Sequence, residues 1–406
     1  MKAEVGNRFL LECIKLWGLD DVEALENLKQ LVLGSAENLL YAVSHDTTLA
    51  PLVYHILKKR SVLDIAPAPL QERLKTFYHF TAARNAVLFR NLSEFLRGAQ
   101  ARGFPVMLLK GLALIAGGYY PDKGLRFLSD IDVLVKMEDV ASADDLMLEL
   151  GWKSPVRIPL PQQLKTHHHL STVTTPEGIP VEVHFRLSRL PLKIDLDAMW
   201  KRATPLPSLS PSAYLPSPED LLIHLALNTS LHHPDRLLQQ HLKFLADLEV
   251  LYHGVKGSLD WGYIFGSASR AGVEVAITHP IVLSYELLKQ ERLKRELEKE
   301  NVLKSVHWDF INKLAADILE GREIPEMSWM VARMGEAQGI GAKLKILLRI
   351  IFPSWGELSE IYPRWASSRF WFIAYVQRIF HLIGTFRWAN FRMAYRAGSV
   401  IREKAH

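Results

Sequence analysis

The sequence predicts an α+β protein: a small mixed β-sheet core inserted in a predominantly helical shell. Three observations lead there. Apolar residues recur at three- and four-residue spacing over residues 1–102 and again from Pro218 onward, the period of helices packed through one face. Between residues 103 and 190 the pattern changes to short apolar runs and alternation, the period of strands. Within that region a hairpin signal stands beside strand-to-helix turns, so the sheet should mix parallel and antiparallel neighbours.

Residues 1–102 read as an N-terminal helical region. Leu70, Leu74, Phe77, Leu88, Leu92, Phe95 and Leu96 fall largely at helical spacing, which predicts one long helix from about Gln71 to Arg102, ended by Gly103. In the α/β core, 103–190, Pro105–Leu109 is a buried-strand candidate and Gly111–Tyr120 has a helical look. The run Tyr120-Pro121-Asp122-Lys123-Gly124 is a turn. Leu128–Lys136 is β-like, and Met137–Gly151 is an amphipathic helix. His167–Thr175 and Ile179–Leu187 are strand candidates joined by Thr175-Pro176-Glu177-Gly178. Six of the 21 prolines lie between Pro191 and Pro218, so 191–217 reads as a connector over the surface. Ser217-Pro218-Glu219-Asp220 then opens a helix with a capping serine, a proline at the first helical position and acids in the first turn. A second helical domain, 218–340, and a basic, aromatic-rich helical tail, 341–406, complete the chain.

Apolar residues at 49% and charged residues at 23% exclude wholesale disorder, collagen and coiled-coil arrays. The single cysteine, Cys13, excludes an internal disulfide framework and a CxxC metal knuckle, which points to a reducing compartment. Charged residues break the first apolar run, so no signal peptide is expected. The most apolar stretch, Phe370–Gly384, contains Gln377, Arg378 and His381 and is shorter than the roughly 20 residues of a membrane span. A cytoplasmic protein, with peripheral membrane contact as an option, is the expectation.

Charge is unevenly spread. Residues 341–406 hold eleven Lys/Arg and three Asp/Glu, a net +8, against −3 for the rest of the chain. The tail therefore suits an anionic partner: RNA, a membrane surface or an acidic protein. Its apolar side chains are expected to pack onto the helical shell. Lys343 and Lys345 lie among these apolar residues, and Arg349, Arg378, Arg387, Arg392 and Arg396 would then form a basic strip.

The chemistry concentrates in Leu128-Ser129-Asp130-Ile131-Asp132-Val133-Leu134-Val135. Residues two apart on a strand share a face, so Asp130 and Asp132 point one way while Ile131 and Val133 turn into the core. Two adjacent carboxylates repel, and a hard cation such as Mg²⁺ removes that penalty while taking phosphate oxygens from a substrate. In Ile179-Pro180-Val181-Glu182-Val183-His184-Phe185, Glu182 and His184 share a face. If this strand lies beside the first, Glu182 becomes a third carboxylate, and two metals about 3.5–4 Å apart can serve a phosphoryl transfer. Leu108-Leu109-Lys110-Gly111 is a strand-to-helix turn suited to phosphate, with Arg126 four residues before Asp130.

These motifs together resemble the uncharacterised nucleotidyltransferase family of the DNA polymerase β-like superfamily. Lys110-Gly111 is similar to its L-K-G turn. Arg126 with Ser129-Asp130-Ile131-Asp132-Val133-Leu134-Val135 resembles its R-x-x-[GS]-D-[IL]-D-[LIV]-L-[VI] strand, and Val181-Glu182-Val183-His184-Phe185 its [VI]-[ED]-[LV]-H-[WF] strand. The likeness extends to Leu40–Leu57, Pro218–His224 and Asp260-Trp261, and is expected over roughly residues 30–390. It implies a nucleotidyltransferase core with 218–340 on the substrate side. By resemblance, Asp130, Asp132 and Glu182 are the catalytic and metal-binding carboxylates for Mg²⁺ or Mn²⁺. The substrate is then an NTP, with ATP the expected donor. Lys110-Gly111 stands where many relatives have Gly-Ser, and the Ser129 hydroxyl replaces a frequent glycine as a phosphate contact.

Several other groups are candidates. His184 could orient substrate or Glu182, or simply pack. His167 and His169 could share a face but lack zinc-like spacing. His224 and Asn228 are one i,i+4 pair, and Lys243 and Asp247 another. The latter reads as a surface ion pair, with a phosphate or acceptor contact by Lys243 as the alternative. The acceptor is open: a small molecule, a peptide or protein hydroxyl, or an RNA end. A non-catalytic binding protein on the same fold and a DxD glycosyltransferase are the competing functions.

Overall fold

Six short strands form one mixed sheet in the order β3-β4-β2-β1-β6-β5: β1 Val106–Leu108, β2 Ile131–Leu134, β3 Val173–Thr174, β4 Pro180–His184, β5 Thr204–Pro205 and β6 Ala213–Leu215. The computed structural model describes residues 2–404 except 19, 46, 155–157, 189–191, 232–236, 323–330, 333, 336, 338, 354–357, 359–361, 363–371 and 386–387. Two units make up the chain: Met1–Leu225 with Gln239–Ile264 and Leu319–Gly321, and Ala226–Leu238 with Phe265–Ile318 and Arg322–His406.

In the first unit four helices precede the sheet: α1 Lys2–Lys15, α2 Val22–Gly34, α3 Ala36–His45 and α4 Ala50–Lys59. The long helix is α5, Ala68–Arg102, three residues longer at its start than the spacing predicts. Prolines at its first turn and Gly103 beyond its last set its ends. Gly103 takes a φ of 76°, which a glycine adopts at little cost, and Phe104 N–H then bonds back to Ala99 at 3.1 Å. Leu70, Leu74, Leu88, Leu92, Phe95 and Leu96 are buried along it.

β1 leads through a tight turn into α6, Lys110–Ala116. β2 runs antiparallel to β1 and parallel to β4, whose antiparallel partner β3 follows from the Thr175–Gly178 turn. Ile131, Val133, Val181 and Val183 are all buried, as the alternation requires. The amphipathic helix is α7, Val140–Glu149, and α8 is Leu160–Thr166. The strand expected over His167–Thr175 shortens to β3 plus a single bridge from His169 to His184.

The proline-rich stretch does more than connect. It holds α9, Leu196–Arg202, and both β5 and β6, and β6 pairs in parallel with β1. Met199, Trp200 and Tyr214 from this stretch pack with Met107, Leu109, Leu134 and Leu187. The core of the sheet therefore needs residues 196–215, which the proline count had assigned to the surface. The helix after it, α10 Pro218–Leu231, starts as its sequence demands: the Ser217 hydroxyl accepts the Asp220 N–H at 3.1 Å. It is followed by α11 Leu237–Gly254 and α12 Trp261–Ala271.

The second unit contains α13 Glu274–Leu288, α14 Glu291–Lys299, α15 Trp308–Glu320 and three tail helices, Gly339–Ile351, Phe372–Thr385 and Trp388–Lys404. Met334, Ile350 and Leu382 form a small buried cluster with Ile346, Leu347, Phe391 and Tyr395 around it. The tail departs from its expected arrangement in two ways. Arg378, expected in a basic strip, is buried. Conversely Val376, Phe380 and Ile383 are exposed instead of packed. Lys345, Arg392 and Arg396 do lie at the surface, and the Lys343 ammonium donates to the Tyr395 hydroxyl at 2.6 Å. Arg387 and the Arg349 side chain fall outside the described residues.

Candidate active site

The parallel pairing of β2 with β4 sets Asp132 opposite Glu182 and Leu134 opposite His184. Glu182 therefore does lie beside the aspartate strand, on the same face. Oxygens of Asp132 and Glu182 and a ring nitrogen of His184 all lie within 4.8 Å of one another. His184 Nε2 is 2.9 Å from Asp132 Oδ1 and 3.5 Å from Glu182 Oε2. The Thr172 hydroxyl donates to Glu182 Oε1 at 3.4 Å. Asp130 sits just before β2, half-buried, and accepts from the Ser129 hydroxyl at 2.7 Å.

Lys110 enters this face from the β1–α6 turn, its ammonium 2.7 Å from Asp132 Oδ1. Its backbone φ is 50°, left-handed for a residue with a side chain. Such a conformation costs on the order of 1–3 kcal/mol and persists where the surroundings over-determine it.

The charges divide the carboxylates into two kinds. Burial and the neighbouring Asp132 charge push Asp130 up to about 6, with Lys110 acting against them. Burial also opposes ionisation of Asp132, but Lys110 and the hydrogen bond with His184 outweigh it and hold that carboxyl well below its ordinary value. Glu182 falls to about 2, burial again being outweighed, here by His184, His169 and Lys110. Lys110 is itself raised, because Asp132, Glu182 and Asp130 outweigh its burial. His184 is raised too, burial being outweighed by its bonds to Asp132 and Glu182.

Gly111 is buried, and its missing side chain has a packing use. A Cβ there would stand 2.9 Å from Leu128 Cδ2 and 3.3 Å from the Arg126 guanidinium carbon. Arg126 is buried as well, with both arms of its guanidinium 2.7 Å from the two oxygens of Asp247. Tyr120 donates to the same carboxylate at 2.9 Å, and Arg126 Nη1 to the Phe127 carbonyl at 2.6 Å. Asp247 is thus the partner of Arg126, not of Lys243 as the i,i+4 spacing suggested. Lys243 is half-buried, and among the described residues no hydrogen bond or ion pair holds its ammonium. Burial and the charge of Arg126 lower it to about 8, while Asp247 and Asp130 pull the other way.

Four histidines gather behind the carboxylates. His168 and His169 each lie 5.3 Å from His184, ring centre to ring centre, and His224 lies 6.4 Å from it. His224 is buried and lowered to about 3, first by burial and then by Lys110 and His184. The His167 ring lies next to the Thr166 hydroxyl, its Nδ1 2.7 Å from Oγ1.

Two residues of α5 that motif reading passed over position the aspartate loop. Arg84 donates to the Leu128 carbonyl at 3.0 Å and to that of Ser129 at 2.6 Å. Asn85 donates to the carbonyls of Lys123 and Arg126 at 2.6 and 2.8 Å. Their only sequence signal is polarity on an otherwise apolar helix face. A separate cavity of about 870 Å³ is lined by Lys136, Arg186, Lys201, Trp200 and Tyr214 among others, but by none of the three carboxylates.

The family model described as "Uncharacterised nucleotidyltransferase" matches residues 35–289, more than half of the chain. The match stops about a hundred residues short of the expected span and leaves α14, α15 and the tail helices outside it. No curated protein and no solved structure matches the chain.

Proposed function

The chain belongs to the uncharacterised nucleotidyltransferase family, and from that premise we propose that it moves a nucleotidyl group from an NTP, with ATP the expected donor, to a hydroxyl of an acceptor. Asp130, Asp132 and Glu182 would hold the divalent metal, Mg²⁺ or Mn²⁺, in the manner of the polymerase β-like superfamily. The donor set fits such an ion. Two carboxylates and an imidazole converge within 4.8 Å, the third carboxylate, Asp130, is two residues before Asp132 in the chain, and hard oxygen ligands suit both metals. A bound divalent ion supplies positive charge for phosphate oxygens and lowers the cost of charge developing on the leaving pyrophosphate.

The chain's own residues account for the rest of the reading. Lys110 is the cation best placed to contact a phosphate once Asp132 no longer needs it. Lys243, free of any ion pair among the described residues and close enough to sense Asp130, offers a second positive charge on the same side. The Ser129 hydroxyl, now on Asp130, can turn to an oxygen of the nucleotide. Glu182 stays ionised at neutral pH and can accept a hydrogen bond from an acceptor hydroxyl, holding it in place for attack. His184 keeps Glu182 and Asp132 in register through its bonds to both. Arg126 acts at one remove: locked to Asp247, it fixes the loop on which Ser129 and Asp130 ride. Catalysis of this kind rests on positioning and charge.

The observation that carries the proposal is the pairing of Asp132 with Glu182 across adjacent parallel strands. The test is calorimetric binding of each NTP with Mg²⁺ or Mn²⁺, followed by label transfer from α-labelled NTP into small-molecule, peptide and tRNA acceptors. Absence of metal-dependent NTP binding would overturn it. A non-catalytic nucleotide-binding protein is the second reading, favoured by the double engagement of Asp132 Oδ1. Binding of NTP without pyrophosphate release in any acceptor mixture would establish it.

A further inference from the structure

Two of the tail helices are apolar on more than one side. In Gly339–Ile351, Ile346, Leu347 and Ile350 face the small cluster around Leu382. Ile340, Leu344 and Leu348 then line the adjoining side, 86%, 50% and 47% exposed. In Phe372–Thr385 the exposed residues are Val376, Ile379, Phe380 and Ile383, with Phe380 at 70% and Ile383 at 66%. At about 100° per residue these four fall within an arc of roughly 100° on their helix. Among the described residues these apolar stripes are uncovered, and contiguous exposed apolar stripes mark an interaction surface.

Charge selects among partners. Neither helix contains an Asp or Glu, while exposed Lys345 stands on the first, and exposed Arg392 and Arg396 on the third tail helix. A second copy of the same face would set like charges against one another, which disfavours a symmetric pair. An RNA would meet the cations but leave Phe380 and Ile383 in water. Among the described residues no helix is long and apolar enough to cross a membrane, and fourteen residues span only about 21 Å. Apolar stripes beside cations, on helices too short to span, suit a surface that is oily below and anionic above.

We propose that the exposed faces of Gly339–Ile351 and Phe372–Thr385 dock on an anionic lipid surface. The side chains of Leu344, Phe380 and Ile383 enter the acyl boundary while Lys345 and its basic neighbours meet the headgroups. The tail lies outside the family match, so the docking adds a location to whatever the carboxylate site does and does not depend on its chemistry.

The test is flotation of the full chain with vesicles of phosphatidylcholine alone and of phosphatidylcholine with phosphatidylglycerol. The expected result is flotation with the anionic vesicles only, weakened by salt and reduced about tenfold in Phe380→Ser/Ile383→Ser and in Lys345→Glu. Circular dichroism should show both variants folded, because these side chains are exposed. Flotation unchanged in the serine double variant would overturn the apolar contact. Equal flotation with neutral vesicles would overturn the anionic preference. No flotation overturns the proposal outright: a gel shift with tRNA, or a concentration-dependent dimer lost in the serine variant, would then assign the face to RNA or to a second copy.

Discussion

Lys110 Nζ lies 2.7 Å from Asp132 Oδ1, and His184 Nε2 reaches the same oxygen from 2.9 Å. A divalent ion must compete with both groups for Asp132, and a phosphate would in turn draw Lys110 away. Lys110→Met should therefore act with opposite signs on two ligands. Mn²⁺ alone should bind about tenfold more tightly, and NTP with Mn²⁺ about tenfold more weakly, each roughly 1.4 kcal/mol. Titration calorimetry reads both, and parallel weakening would reduce Lys110 to a structural residue.

The two aspartates should part company in stability. Asp132→Asn strips Lys110 of its buried partner, and breaking such a pair costs roughly 3–5 kcal/mol. Asp130→Asn removes a carboxylate that burial and Asp132 already oppose, so urea unfolding should show it neutral or stabilised by up to about 1 kcal/mol. Turnover should fall in both by about a hundredfold or more.

Asp130 also sets a pH dependence. Its carboxyl titrates at about 6 in the folded chain against 3.8 for the free group. Between those values the folded state holds a proton that the unfolded state has released, so this group's contribution to stability falls as pH rises from about 4 to about 6 and is level above. His224, at about 3 when folded, acts in the opposite sense, its contribution growing as pH rises from about 3 to 6.5. Comparing the parent with Asp130→Asn cancels His224. With partial exposure discounted, the parent's stability relative to the variant should drop by about 1–2 kcal/mol from pH 4 to pH 7 in metal-free buffer. A flat difference would contradict the raised carboxyl.

Arg126 and Lys243 should also separate. Arg126→Ala leaves the buried Asp247 carboxylate with the Tyr120 hydroxyl but without its counter-charge, and should cost roughly 3–5 kcal/mol of stability. Lys243→Met removes a cation that no ion pair holds among the described residues. Stability should stay within about 1 kcal/mol of the parent or rise, while the KM for NTP increases. Thermal unfolding with and without NTP distinguishes the two roles.

The carboxylate face was readable because its signals are local. Alternation in Asp130-Ile131-Asp132-Val133 and Val181-Glu182-Val183-His184 declares which side chains share a side, and two such strands in one small core have few ways to pair. Asp247 was misassigned because its true partner lies 121 residues away, whereas Lys243 stands at a suggestive helical interval. The strands β5 and β6 escape the sequence reading because two or three residues among prolines carry almost no periodic signal; parallel pairing with β1 forms β6, and antiparallel pairing with β6 forms β5. In the tail, the sequence shows that Phe380 and Ile383 are apolar but not that they are exposed.

The helix α5 has a consequence of its own. Near its middle, Arg84 and Asn85 grip the loop that delivers Asp130 and Asp132, and its end at Gly103 releases the chain into β1 and Lys110. The aspartate loop and the Lys110 turn are therefore both anchored along one rod. Adding or deleting a single residue between Asn85 and Gly103 would slide one anchor about 1.5 Å and swing it about 100° against the other. This stretch of helix works as a gauge, and its length is as much a part of the carboxylate site as any side chain in it.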